Sequence, residues 1–434
     1  MPRYDYKCKA CTRQTTTQKD ATLDRNFLGA LWHGAFLALG TAFTQPETVI
    51  AALVVELTGS TVWVGGFSTV LTVASALPQL FVARWVEPRP RKMPFLLLAI
   101  YLRVFSWGAL AWLIFAIGSE QPRLLAWALV GLLAIFYAAG GLGGVPYTDI
   151  IGKIIPLGRR GTFFGGRQAL AGPLAVGAAL LARQLLAEMA YPNNYALLFG
   201  LAAAALFIAS LGFWVIREPP RSEADGRVRR WREYQGQLRE TAHRLRALVG
   251  VQLLTGFSLM AMPFYVVYAR QELGAPPEAV GWFVLFQVLG GVLANLLWAW
   301  LVDRFGSRWM LAVCAILSTL TPLLAVGLGR LGWAGMLPVI FLGGATVNGR
   351  SVGFSSALLE VAPSGERPTY SALDTVLILP VAFLPLLAGV FLQHWPYPPL
   401  FLSVAGFVGL GAVLTRLLPS RPQLEKQIAE PERR

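Results

Sequence analysis

Twelve apolar runs, most of them about 20–30 residues long, alternate with polar connections along the chain. They fall at 26–55, 62–86, 93–118, 123–150, 161–190, 195–216, 247–271, 278–302, 309–328, 333–359, 369–394 and 398–418. A helix rises 1.5 Å per residue, so about 20 apolar residues cross a hydrocarbon layer of about 30 Å. The pattern therefore predicts an all-α integral membrane protein with twelve transmembrane helices, helix 1 to helix 12. Most connections are short, which makes consecutive helices antiparallel neighbours.

The exception is 217–246, where Arg217-Glu218-Pro219-Pro220 opens an arginine-rich, partly helical stretch. It divides the chain into a polar arm (1–25), a six-helix bundle (26–216), a basic linker (217–246), a second six-helix bundle (247–418) and a tail (419–434). The bundles repeat one another at an offset of 216 residues. Val64-Gly65-Gly66-Phe67 matches Val280-Gly281-Trp282-Phe283, Glu56-Leu57 matches Glu272-Leu273, and Gln79 matches Asn295. The hairpin Glu87-Pro88-Arg89-Pro90-Arg91-Lys92 occupies the place of Asp303-Arg304-Phe305-Gly306-Ser307-Arg308. A register held over so many positions indicates duplication. After the fourth helix of each half, 156–163 (PLGRRGTF) likewise resembles 363–370 (PSGERPTY).

Composition agrees. The 434 residues are 55% hydrophobic and 14% charged, too apolar for a soluble protein of this size. Of the 37 Lys and Arg, 31 fall in alternate segments that include the arm, linker and tail, against four (Arg123, Arg183, Arg270, Arg330) in the others. By the positive-inside rule both termini are expected in the cytoplasm, with the protein in the plasma or inner membrane. The same asymmetry accounts for the net charge of +14 by apposition to anionic lipid, without a nucleic-acid partner. The arm has no cleavable signal pattern, so the first crossing is expected to direct insertion.

A 6+6 helix chain with a basic central loop and a Gly-x-x-x-Asp-Arg-x-Gly-x-Arg type hairpin after the second helix of each half resembles the major facilitator superfamily. The second-half motif is good (Asp303, Arg304, Gly306, Arg308), with Ala299 in place of the opening glycine. In the first half Ala83, Glu87, Pro88 and Pro90 depart from it. The resemblance implies two pseudo-symmetric bundles around a cavity lined by helices 1, 4, 7 and 10 and supported by 2, 5, 8 and 11. It also implies alternating access.

The charged hairpins are candidate gates, because acid–base pairs that form on one face must part when that face opens. Glu87 and Lys92 are available to Asp149 and Arg160; Asp303, Arg304 and Arg308 to Glu360 and Arg367. Ordinary solvated loop charges are the alternative. Arg167 and Asp374, each seven residues past Arg160 and Arg367, are expected to pair across the halves or within their own.

For the cavity, helix 1 offers Thr41, Thr44, Gln45 and Thr48 around Pro46, with the threonines on one face. Helix 7 offers Ser258 and Tyr265 beside Pro263, and helix 10 offers Asn348 and Arg350. Arg350 suits an anionic group or neutralises Glu47. Glu47 lies far from every helix end, where an ionised carboxylate is costly, so it is the candidate proton-coupling residue; a structural pairing with an arginine is the alternative. Helix 2 carries Ser68, Thr72, Ser75 and Gln79 on one face, for substrate or for interhelical bonding. Arg103 on helix 3 is read as a packing residue, and His33 as a core histidine.

The arm opens on Cys8-Lys9-Ala10-Cys11, which resembles small zinc-ribbon domains but lacks their second cysteine pair, since Cys314 is the remaining cysteine. It is read as a remnant or a disordered tail, with no metal, no cofactor and no disulfide. No phosphate-binding loop or hydrolase motif is present, so the chain is not read as an enzyme. A secondary transporter of a small organic solute, proton-coupled and monomeric, is the reading; a non-transporting solute sensor or an integral-membrane enzyme is the rival.

Overall fold

The computed structural model describes the backbone of residues 9–86, 89, 91–118, 120–156, 159–219, 231–362 and 367–419. Helix 1 runs Lys9–Phe43 and resumes at Ala51–Thr58 after a π-helical turn, Pro46–Ile50. Helices 2 to 6 are Thr61–Val86, Met93–Ile117, Pro122–Ile154, Arg160–Glu188 and Asn193–Val215. Helices 7 to 10 are Trp231–Gln271, Ala279–Phe305, Ser307–Leu328 and Met336–Val361. Helix 11 is assembled from Arg367–Leu377, a 3-10 segment Leu379–Phe383 and Leu384–Phe391; helix 12 is Tyr397–Leu414.

One expectation changes here. The arm is not an unstructured tail: from Lys9 it is continuous with helix 1. Its Thr, Gln and Lys residues tolerate a helix, and a formed transmembrane helix supplies the nucleus that an isolated polar segment lacks. The linker is partly helical, with helix 7 starting at Trp231 inside it. Ten described helices are long and apolar enough to cross a membrane. Helix 10, interrupted by Asn348 and Arg350, and helix 11, divided at Leu379–Phe383, complete the twelve.

Packing repeats between halves. Helix 6 packs against 1 and 3 as helix 12 does against 7 and 9, and helix 4 against 2 and 3 as helix 10 does against 8 and 9. Across the halves, helix 2 meets helix 11 and helix 5 meets helix 8. Large apolar side chains such as Trp112, Phe115, Trp127 and Leu296 stay exposed, which is stable only where lipid covers them.

Close helix contacts rest on glycine. A Cβ on Gly344 of helix 10 would sit 2.0 Å from the Gln287 carbonyl oxygen of helix 8, and one on Gly290 1.9 Å from the Phe341 oxygen. Both neighbours are backbone and cannot rotate away. Gly344→Val is expected to destabilise the second half by about 1–3 kcal/mol, the usual cost of overpacking. A lower apparent Tm of the purified protein is the measurement; an unchanged Tm would contradict the packing.

Candidate functional site

Helix 1 breaks for a local reason. Pro46 has no N–H and disfavours the helical conformation in the residue before it, and Gln45 has φ −56° and ψ 118°. The chain restarts with Pro46 in its first turn, and the Gln45 carbonyl accepts from the amides of Thr48, Val49 and Ile50 at 2.9–3.3 Å. The resulting π-turn carries Glu47, about eleven residues from the end of helix 1 and so roughly 17 Å deep. Gln287 Nε2 donates to Glu47 Oε2 across the two halves at 3.0 Å. Among the described residues no cation pairs with Glu47.

A cavity of about 580 Å³ adjoins this carboxylate. Helix 1 lines it with Gly34, Ala38, Thr41, Gln45 and Glu47, and helix 5 with Arg167, Gln168 and Gly172. From the second half come Gln287, Gly291 and Asn295 of helix 8 and Gly344, Asn348 and Ser351 of helix 10. Helices 4 and 7 contribute no lining residue, unlike the arrangement that the resemblance implies.

The sequence-nominated residues therefore separate. Thr41, Gln45, Glu47 and Asn348 line the cavity. Thr44 and Thr48 are buried beside it, Thr44 bonding the Gly40 carbonyl at 3.3 Å. Tyr265 is 2% exposed and packs its ring against Phe401, while Ser258 donates to the Thr255 carbonyl. Arg350 does not neutralise Glu47: its guanidinium donates to Thr255 Oγ1 and to the Gln252 carbonyl and lies 5.1 Å over Phe354. Ser68, Thr72 and Ser75 of helix 2 each satisfy a carbonyl of their own helix. Arg103 packs 4.3 Å over the Phe136 ring, and buried His33 bonds the Ala209 carbonyl.

At the end bearing the basic loops, Lys92 pairs with Asp149 at 3.0 Å, and Lys153 bridges Asp149 (2.7 Å) to Glu218 (3.1 Å). Glu218 also accepts the amides of Lys92 and Met93 at 2.9–3.0 Å, placing a carboxylate on the positive end of helix 3. In the second half Glu360 does the same for helix 9, accepting from Ser307 N at 3.2 Å and Ser307 Oγ at 2.5 Å. Asp303 and Arg304 lie on the exposed last turn of helix 8, and Arg308 is half-buried on helix 9. Glu87 and the side chains of Arg160 and Arg367 lie outside the described residues. Arg167 and Asp374 do not pair: Arg167 bonds Tyr147, and Asp374 accepts from Gln252 at 3.2 Å. Each is held by a neutral partner within its own half. Sequence reading passed over Lys153, Glu218, Gln252 and Gln287. Gln287 had one signal, being the sole strongly polar residue between positions 279 and 294.

The opposite end is closed by contacts between the halves. Arg270 pairs with Glu56, Thr61 Oγ1 donates to the Gly389 carbonyl at 2.9 Å, and Arg183 lies 4.2 Å over Trp282. Glycine again brings backbones together. A Cβ on Gly65 would lie 2.1 Å from the Pro385 oxygen, and one on Gly281 2.6 Å from Arg183 Cα. These two glycines are the repeat partners of the duplicated motif. Hydrogen bonds and ion pairs between the halves occur at this end and at Glu47.

Residues 247–434 match the family model described as Major Facilitator Superfamily. The fold match extends over nearly the whole chain. The family match itself covers the second half of the chain. A D-xylose-proton symporter superposes with a TM-score of 0.64 at 16% identity, covering 89% of this chain and 97% of that one. The xylose transporter XylE from E. coli in an inward-open state gives 0.62 at 14%, covering 95% and 99%. A bacterial homologue of the iron transporter ferroportin, inward-facing, gives 0.61 at 17%, covering 92% and 98%. No curated protein matches the chain in sequence.

The closed end yields a prediction. Gly281→Val puts a side chain against the Arg183 backbone and should wedge helices 5 and 8 apart. Spin labels on the ends of helices 5 and 8 should then show a distance distribution shifted to longer values. A distribution identical to that of the unsubstituted protein would contradict a closure built on glycine contact.

Proposed function

We propose that this protein is a secondary transporter that moves a small organic solute by alternating access, coupled to protons through Glu47. The observation that carries the reading is a mid-membrane carboxylate on a broken helix, facing a polar cavity, with an amide from the opposite half as its side-chain partner. An ionised carboxylate in hydrocarbon is costly unless paired, and an amide donor stabilises it less than a cation would. Protonation removes that cost. A carboxylate whose occupancy by a proton alters its bond to the other half supplies the differential free energy that alternating access requires. Among the neighbours in fold, the D-xylose-proton symporter is named for such coupling.

The basic end is read as cytoplasmic from the distribution of Lys and Arg, which makes the present arrangement the inward-open state. On that reading Lys92, Asp149, Lys153 and Glu218 form a cytoplasmic cluster. They hold the first-half hairpin to helix 4 and to the start of the linker while the halves are parted.

Proteoliposomes provide the test, with flux of labelled pentoses, nucleosides and organic acids measured under an imposed pH gradient. Glu47→Gln is expected to lower gradient-driven accumulation by at least about tenfold while counterflow exchange persists, the pattern of a lost proton site. Unchanged driven accumulation in Glu47→Gln would remove Glu47 from coupling. Gln287→Leu should weaken driven transport without abolishing exchange, because it removes the donor and leaves the carboxylate.

A further inference from the structure

We propose that Arg167 forms an oxyanion subsite at the basic end of the cavity, so that the transported solute carries a carboxylate or phosphate group. The inference rests on the transporter reading and narrows its substrate class.

Among the described residues Arg103, Arg350 and Arg167 lie inside the bundles, and their surroundings differ. Arg103 is packed on Phe136, and Arg350 is engaged by Thr255, the Gln252 carbonyl and Phe354. Arg167 lines the cavity. Helix 1 is shaped to receive it: a Cβ on Gly34 would lie 2.7 Å from both Cγ and Nε of Arg167. Any residue but glycine there would displace the side chain. Its Nη1 donates to Tyr147 Oη at 3.0 Å, and the guanidinium carbon is 5.8 Å from the Tyr147 ring centroid. Stem and head are thus both positioned.

The remaining donors are what matter chemically. A guanidinium has five N–H donors, and the tyrosine takes one. Among the described residues no carboxylate pairs with Arg167. Glu47 cannot neutralise it, since Gly34 and Glu47 are thirteen residues, or about 20 Å, apart along helix 1. A positioned cation with free donors at a polar cavity suits the two-oxygen edge of a carboxylate or phosphate. Asn348 and Ser351 on the facing wall offer the amide and hydroxyl that would orient such a solute.

The experiment reads charge at the site without requiring turnover. In a full-length variant with Cys8→Ser, Cys11→Ser and Cys314→Ala, Ser351→Cys places one thiol in the cavity. Its rates of modification by sulfonate-bearing and trimethylammonium-bearing methanethiosulfonates are compared, each corrected for reaction with free thiol. The sulfonate reagent is expected to be favoured by about tenfold, the scale of electrostatic focusing in a charged cleft. Arg167→Gln should abolish the preference, Arg167→Lys should keep most of it, and Arg416→Gln, a charge removed from the basic end outside the cavity, should leave it unchanged. No preference with Arg167 in place, or a preference that survives Arg167→Gln, overturns the proposal. If Arg167→Gln does not fold, the ratio with Arg167 in place and that of Arg167→Lys still decide. Because the labelling needs no transport, its failure is distinguishable from failure of the flux assay.

Discussion

Hydrocarbon offers no hydrogen bonds, so a chain crossing it must satisfy its backbone internally, and every departure from helix needs a protein or water partner. The two breaks in this protein follow that rule. At Gln45–Pro46 a single carbonyl receives three amides of the restarting turn, and the break adjoins the polar cavity. At Leu379–Phe383 the helix tightens to 3-10 geometry around Pro380 while helix 11 stays packed on helix 2. The first break sets Glu47 at mid-membrane; an unbroken helix would not combine a π-turn with the carboxylate at the cavity.

Closure at one end depends on removing side chains. Between helices 2 and 11, and between 5 and 8, the halves meet at Gly65, Gly281 and Gly389, where any Cβ would strike backbone of the opposite half. Val64, Phe67, Val280 and Phe283 on either side are buried. The duplicated motif therefore joins a core anchor to an interface glycine in each half. At the other end carboxylates cap helices 3 and 9 from within their own halves.

Much of this was legible beforehand. Twelve apolar runs and a 216-residue repeat specify helices, halves and antiparallel order, because spanning length and duplication are written in composition. The cavity was legible along helix 1, where Thr41, Gln45 and Glu47 interrupt an apolar run. It was not legible on helices 5 and 8. Arg167 reads as a loop-proximal charge by position, and only the helix 1–helix 5 crossing at Gly34 turns it toward the cavity. Ser258 and Tyr265 fit a cavity face by residue type, but the rotation of helix 7 buries them in the second half. Rotation about a helix axis is set by partners distant in sequence, which residue types along one helix do not encode.

The charges inside the membrane can now be sorted by what compensates them. Arg103 has a ring, Arg350 has a hydroxyl, a carbonyl and a ring, and Asp374 has an amide. Those arrangements lie within single halves and are unchanged if the halves move as bodies. Glu47 differs, because its amide donor belongs to the other half. Arg167 differs because its fixed partner is one phenol and its free donors adjoin the cavity. Both sites therefore adjoin the cavity or the opposite half, whereas the compensation of the other three is internal. Coupling of solute to proton needs two sites whose energies depend on one conformational equilibrium, and the sites need not touch. On the proposed reading the separation of Glu47 from Arg167, which meets helix 1 at Gly34, matters because an acid and a base in contact would neutralise each other and respond to neither ligand.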